Sequence, residues 1–228
     1  MKFIYAKELN QMFDVFGHFY NLKLSGSVFK CRSVLEIKKK DLSSVNGLPD
    51  MVVIMMNPGS SRPFDKNYNI KTFSKKEYLN IKVKDVVPTR PDNAQYQIMR
   101  LMLFNSWSFV RVLNLSDLRN GNSGKFQTEF INAMKLDKSN PHCLTHEDRN
   151  KELLNYLKSK SGKIIAAWGS ISELKIPAEK ILKLNKNIIG VVNSSLPNYR
   201  YASPYMKSQK IRWLNEIQKK LNLRQHLK

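Results

Sequence analysis

Cysteine is scarce in this chain. Its 228 residues hold two, Cys31 and Cys143, far apart and in no Cys-x-x-Cys arrangement. That excludes a cysteine-ligated zinc or iron–sulfur centre and gives no basis for a disulfide scaffold. No apolar run approaches the roughly 18 uninterrupted residues that span a bilayer. The N-terminal stretch MKFIYAKELNQMFDVF carries charges within its apolar pattern, where a signal peptide would have an unbroken core. A cytoplasmic protein is therefore expected. Internal repeats and low-complexity linkers are also missing, so residues 1–228 read as a single domain. Acidic residues are the most telling shortage: 18 Asp+Glu stand against 39 Lys+Arg, a formal net charge of +21. Such self-repulsion contributes nothing to folding, so a polyanionic partner, DNA before others, is the expectation. A lysine-rich composition inherited from an AT-rich genome is the competing source of part of the excess.

What is present reads as alternating strands and helices. Residues 5–17 suggest a short helix packing Met12, Phe13 and Phe16, and residues 19–37 a hairpin turning at Gly26. Together residues 1–50 form an N-terminal cap on a core spanning 51–228. Within that core, apolar runs at 51–56, 109–113, 163–168 and 187–192 have the composition of strands buried on both faces. Helices are expected over 92–106 with Asp92 as N-cap, over 125–135, and over 145–160 with Thr145 as N-cap. A short helix opens at Pro177, and a last one runs from about 207 to 222. This alternation predicts an α/β fold with a central parallel sheet of about four strands and helices on both faces. Ligands of such sheets bind beyond the carboxyl ends of the strands.

Four loops follow those strand ends. They are Asn57-Pro58-Gly59-Ser60, Asn114-Leu115-Ser116-Asp117, Trp168-Gly169-Ser170, and the stretch from Asn193 to Tyr205. Each alone is an ordinary turn. In order and at their spacing they resemble the uracil-DNA glycosylase superfamily over residues 51–220. Met55-Met56-Asn57-Pro58-Gly59 resembles that family's Gly-x-Asn-Pro-Gly motif, of the mismatch-specific branch, with Met55 in place of the first glycine. Asn114 stands where the family reads the pyrimidine edge, and the run to Trp168-Gly169 resembles its third strand end. Tyr201-Ala202-Ser203-Pro204-Tyr205 is similar to its last motif, with Tyr201 in place of the histidine. The same segments are also similar to an uncharacterised family whose strands read MLNPS, NL…R and AWG.

The resemblance implies a glycosylase-like fold and a metal-independent DNA N-glycosylase that flips out a base and hydrolyses its glycosidic bond. It implies that Asn57 positions the water; Asp65, close in sequence, is either the source of negative charge or an exposed loop carboxylate. Asn114, Gly59 and Trp168 would line the base pocket, and Tyr201 would donate to the leaving base. Gly59, where stricter relatives carry a bulky tyrosine, would leave room for 5-substituted pyrimidines, such as the modified bases of some phage genomes. Removing such bases would serve repair or defence against phage. Tyr205 would act as a wedge in the duplex, and Ser203, Arg200, Lys207 and Lys210 would contact DNA. Arg212, Lys219, Lys220, Arg224 and Lys228 extend the basic C-terminal segment, and Lys38–Lys40 form a second cluster. The insert from Arg62 to Pro91 either shapes the pocket or is a surface excursion. His142 and His146 flank Cys143 at a spacing that hints at a metal, but Pro141 and the following helix start make them loop residues. A monomer without cofactor or metal is expected. A non-catalytic nucleic-acid-binding module on the same fold is the alternative, and a small-molecule hydrolase or transferase is a third reading that the charge disfavours.

Overall fold

The computed structural model describes residues 3–40, 47–81 and 84–223; Arg224 and Lys228 lie outside them. Among the described residues there are nine strands: β1 (Phe13–Leu24), β2 (Ser27–Lys39), β3 (Met51–Met55), β4 (Arg62–Pro63), β5 (Thr72–Ser74), β6 (Val87–Arg90), β7 (Phe109–Asn114), β8 (Ile164–Ala167) and β9 (Ile188–Gly190). The helices are α1 (Ala6–Met12), α2 (Lys75–Leu79), α3 (Asn93–Phe104), α4 (Ser123–Leu136), α5 (Asn150–Tyr156), α6 (Lys175–Leu184) and α7 (Lys207–Leu223).

The sheet corrects the expected architecture. It is one mixed sheet of nine strands in the order β4-β6-β1-β2-β7-β3-β8-β9, with β5 alongside β1. The run from β4 to β7 is antiparallel. Parallel pairing joins β7, β3, β8 and β9, which occupy one end of the sheet, not its whole. Residues 13–39 are therefore no cap. The β1–β2 hairpin turns at Ser25-Gly26 and lies mid-sheet, β2 pairing with β7 from Leu35↔Val112 to Lys38↔Phe109. The reason is burial on both faces. His18, Phe19, Tyr20 and Leu22 are all buried, which an interior strand requires and a cap does not. The 62–91 insert supplies the remaining edge, with Phe16↔Pro88 and Gly17↔Val87 joining β6 to β1.

Two local expectations also change. The first helix stops at Met12, because Phe13 and Val15 are buried while Asp14 and Phe16 are half-buried, the two-residue period of a strand. Over 145–160 there is a 3₁₀ turn at Glu147–Arg149, capped by His146 and not by Thr145, followed by the seven-residue α5. Leu153 of α5 is buried, whereas its neighbour Leu154 is 48% exposed.

Strand alternation divides the core. Val52, Ile54, Leu113, Ile164 and Ala166 face α4, α5 and α6 through Phe126, Phe130, Leu153 and Ile181. Met51, Val53, Val112, Ile165 and Ile189 face α1, α3 and α7 through Leu9, Ile98, Leu101, Trp213 and Ile217. Among the described residues no helix is long and apolar enough to cross a membrane.

Candidate active site

The parallel end of the sheet opens into a cleft of about 500 Å3 where β3 gives way to Asn57. Asn57, Gly59 and Ser60 line it together with Asp92 and the first residues of α3. Asn120, Gly121, Tyr201 and Ser203 complete it. A second chamber of about 480 Å3, between the ends of β8 and β9 and helix α7, shares Met56, Ser123 and Tyr201 with the cleft.

Asn57 is buried, and its Nδ2 donates to the carbonyl oxygens of Asn120 (2.7 Å) and Leu118 (3.3 Å). Those two bonds fix the amide plane. Oδ1, without a hydrogen-bond partner among the described residues, is the atom able to accept from a water in the cleft.

Asp92 is the group that sequence reasoning missed as part of the site. Its N-cap role holds: Oδ1 accepts from Ala94 N (2.9 Å) and Gln95 N (3.4 Å). The same carboxylate lines the cleft, and Oδ2 lies against Gly59 so closely that a Cβ there would collide with it. Burial raises the Asp92 pKa above the ordinary carboxylate range, opposed by the Arg32 guanidinium and by backbone N–H groups of Ala94, Gln95 and Ser60. A carboxyl raised in this way binds a proton more readily than an ordinary one, as a general base must. Space beside Gly59 is thus occupied by Asp92, which corrects the reading of Gly59 as room for a substituent.

Tyr201 lies over Gly169, lines both chambers and donates from its hydroxyl to Met56 Sδ at 3.5 Å. A thioether is a weak acceptor, so this proton is readily redirected to a better one. Burial first and then the Asp92 charge push its pKa up, which keeps the phenol protonated. Ser203 Oγ is buried at the cleft with no partner among the described residues.

Three expected site residues lie elsewhere. Asn114 is fully buried; with its amide oriented to satisfy its neighbours, it donates to the Asn57 carbonyl (2.9 Å) and accepts from Arg32 Nη2 (3.2 Å). It holds the Asn57 turn from behind and does not face the cleft. Arg32, also fully buried, has its pKa lowered to about 10 by desolvation and donates to Pro58 O at 3.4 Å. Trp168 belongs to the core, its Nε1 donating to Pro197 O at 2.8 Å. Asp65 is exposed and accepts from Asn67 N at 2.8 Å, outside the cleft lining.

Of the expected DNA contacts, Tyr205 is 98% exposed, next to Pro204 on the rim of the second chamber. Arg200 lines that chamber with Arg212. Lys207 turns to the N-terminal segment, donating to Tyr5 Oη at 2.7 Å and lying over the Phe3 and Tyr5 rings. Lys210 is half-buried, its carbonyl accepting from Gln97 Nε2. His142 is buried against Ser116 (3.1 Å), and His146 accepts from Asp148 N. No group of three His, Cys, Asp or Glu placed to hold a metal occurs among the described residues.

No protein-family model, curated protein or solved structure matches this chain.

Proposed function

We propose that the chain is a DNA glycosylase that draws a damaged or modified nucleotide into the cleft and hydrolyses its N-glycosidic bond. The observation that carries this reading is the meeting of Asn57, Asp92 and Tyr201 around one cleft, in a chain of net charge +21. In the proposed reaction a water held by Asn57 Oδ1 attacks the sugar C1′ carbon. Asp92 takes its proton and its negative charge favours the cationic sugar. The C1′–N bond breaks with its electron pair going to the base, and Tyr201 hydrogen-bonds the departing base. Asp92 replaces Asp65 in this scheme, because Asp65 faces solvent.

The adjoining chamber supports a base that carries a substituent, because it lies on the other side of the shared residues Met56 and Tyr201, lined by Asn193, Arg200, Arg212 and Glu216. A bulky 5-substituted pyrimidine remains the proposed substrate on that ground, with the cytoplasm as the compartment where it is met. One observation favours the alternative of a non-catalytic nucleic-acid-binding module: the amide expected to read the base, Asn114, is spent inside the protein.

The test incubates the protein with DNAs carrying uracil, mismatched thymine or bulky 5-modified cytosines, followed by alkali. Strand breaks at one base are expected, reduced at least about 100-fold by Asp92→Asn or Asn57→Ala with DNA affinity retained. Because the Asp92 pKa is raised, the rate should climb with pH through a limb lying above the ordinary carboxylate value of about 3.9. Binding without breaks across the panel would favour the non-catalytic module.

A further inference from the structure

A trough of about 900 Å3 at the sheet edge shares the lining residues Ser60, Pro91 and Tyr96 with the cleft, so the two are neighbours. That edge is β4 paired with β6, and its register sets Arg62 directly opposite Arg90. Like charges opposed across a strand pair destabilise it, and neither guanidinium forms an ion pair among the described residues. Lys40, at the end of β2, lines the same hollow, with Asp14 the one acidic side chain in its wall among the described residues. Beside the arginines stands Phe64, 61% exposed, with the Arg90 guanidinium 4.8 Å from its ring centre and Arg90 Nε donating to its carbonyl at 3.3 Å.

We infer that this trough holds the single strand of DNA flanking the target nucleotide, with Phe64 as a stacking platform and Arg62, Arg90 and Lys40 on the phosphates. A ring presented to solvent beside unpaired cations fits an unstacked base between phosphates; a duplex hides the faces of its bases. The cation pair is costly alone and favourable once a phosphate lies between. The trough leads this strand to the cleft, so the inference deepens the glycosylase reading and rests on it for the position of the target base. Binding itself is measured separately from excision.

The experiment is fluorescence anisotropy of the full chain with a labelled oligothymidine of about 15 nucleotides and with a duplex of equal length. Tighter binding of the single strand is expected. Phe64→Ala should weaken it about tenfold, Phe64→Trp should restore it, and neither should change the salt dependence. Arg62→Ala with Arg90→Ala should flatten the plot of log affinity against log salt by about 1–2. Asp92→Asn should leave all of this unchanged. Phe64 is exposed, so its truncation leaves the core intact, which circular dichroism checks. Equal affinity for the duplex, unchanged binding by Phe64→Ala, or tighter binding of oligouridine would overturn the inference. Excision lost in Asp92→Asn with the Phe64 effect intact supports both readings. The Phe64 effect without excision at any base supports the trough and removes the glycosylase.

Discussion

Gly59 satisfies two constraints at one atom. Its φ of +64° lies in the left-handed region, and its missing Cβ leaves the space that Asp92 Oδ2 occupies. Gly26, at φ +87° with nothing within 4 Å of an added Cβ, meets only the first. Gly26→Ala should therefore cost about 1–2 kcal/mol of stability from backbone strain alone. Gly59→Ala should cost more and should also displace the carboxyl from the cleft. Urea denaturation of both variants, with the excision assay on the second, checks the difference. At this scale the sequence showed part of the site. Asn57, Gly59, Tyr201 and Ser203 meet at the cleft, as the order of the loops suggested. Asp92 was read as a helix cap, and capping and lining a cleft leave the same sequence signal. Arg32 carried none, since its place behind Pro58 depends on β2 lying next to β7. Asn114 ends β7 and Trp168 directly follows β8, but a place at a strand end does not say which way the side chain turns.

Between elements, one buried network ties the insert to the rest. Asp117 Oδ2, just past β7, accepts from Tyr20 of β1 (2.7 Å), Tyr78 of α2 (2.9 Å) and Arg149 Nη1 (2.9 Å). The two tyrosine rings stack at 4.1 Å, and Glu152 of α5 pairs with both Arg149 and Lys84. Burial lowers the Lys84 pKa to about 8, so this lysine is held close to losing its charge. Arg149→Leu would leave Asp117 buried and uncompensated, and should cost about 3–5 kcal/mol. Adding Asp117→Leu should recover part of that loss, a coupling that urea denaturation of the single and double variants measures. The strands of the insert defeated sequence reading for a different reason. Strands β4, β5 and β6 are two to four residues long, and two contain proline. Their place comes from long-range pairing, β5 with Asn21–Lys23 and β6 with Phe16 and Gly17 of β1, with no periodicity of their own. Longer elements were readable: α3, α4, α7 and the apolar runs of β3, β7, β8 and β9 carry their pattern within one window.

Over the whole molecule, acid should act through two buried imidazoles. Burial first, with Lys84 next, lowers the His18 pKa from 6.5 to about 4; burial first, with Arg149 next, lowers that of His142 to about 3. The folded chain keeps both neutral, while the unfolded chain protonates them near 6.5. Their stabilising contribution is thus fully present above pH 6.5 and is lost as pH falls toward 4 and then 3, by a few kcal/mol. Urea midpoints measured from pH 7 to pH 4 should fall, and His18→Gln should flatten that dependence whatever it does to stability at neutral pH.

The mid-sheet hairpin has a bearing on how the chain leaves the ribosome. Residues 13–39 emerge before either of their flanking strands and can close on themselves, yet each outer edge waits for a partner made later, β6 for β1 and β7 for β2. Until residue 114 is synthesised, β2 presents open backbone donors and acceptors to any passing strand. Lys30, Lys38 and Lys39 lie along that strand. Before they can serve any partner, their repulsion would keep nascent copies apart during the interval when the sheet is half built.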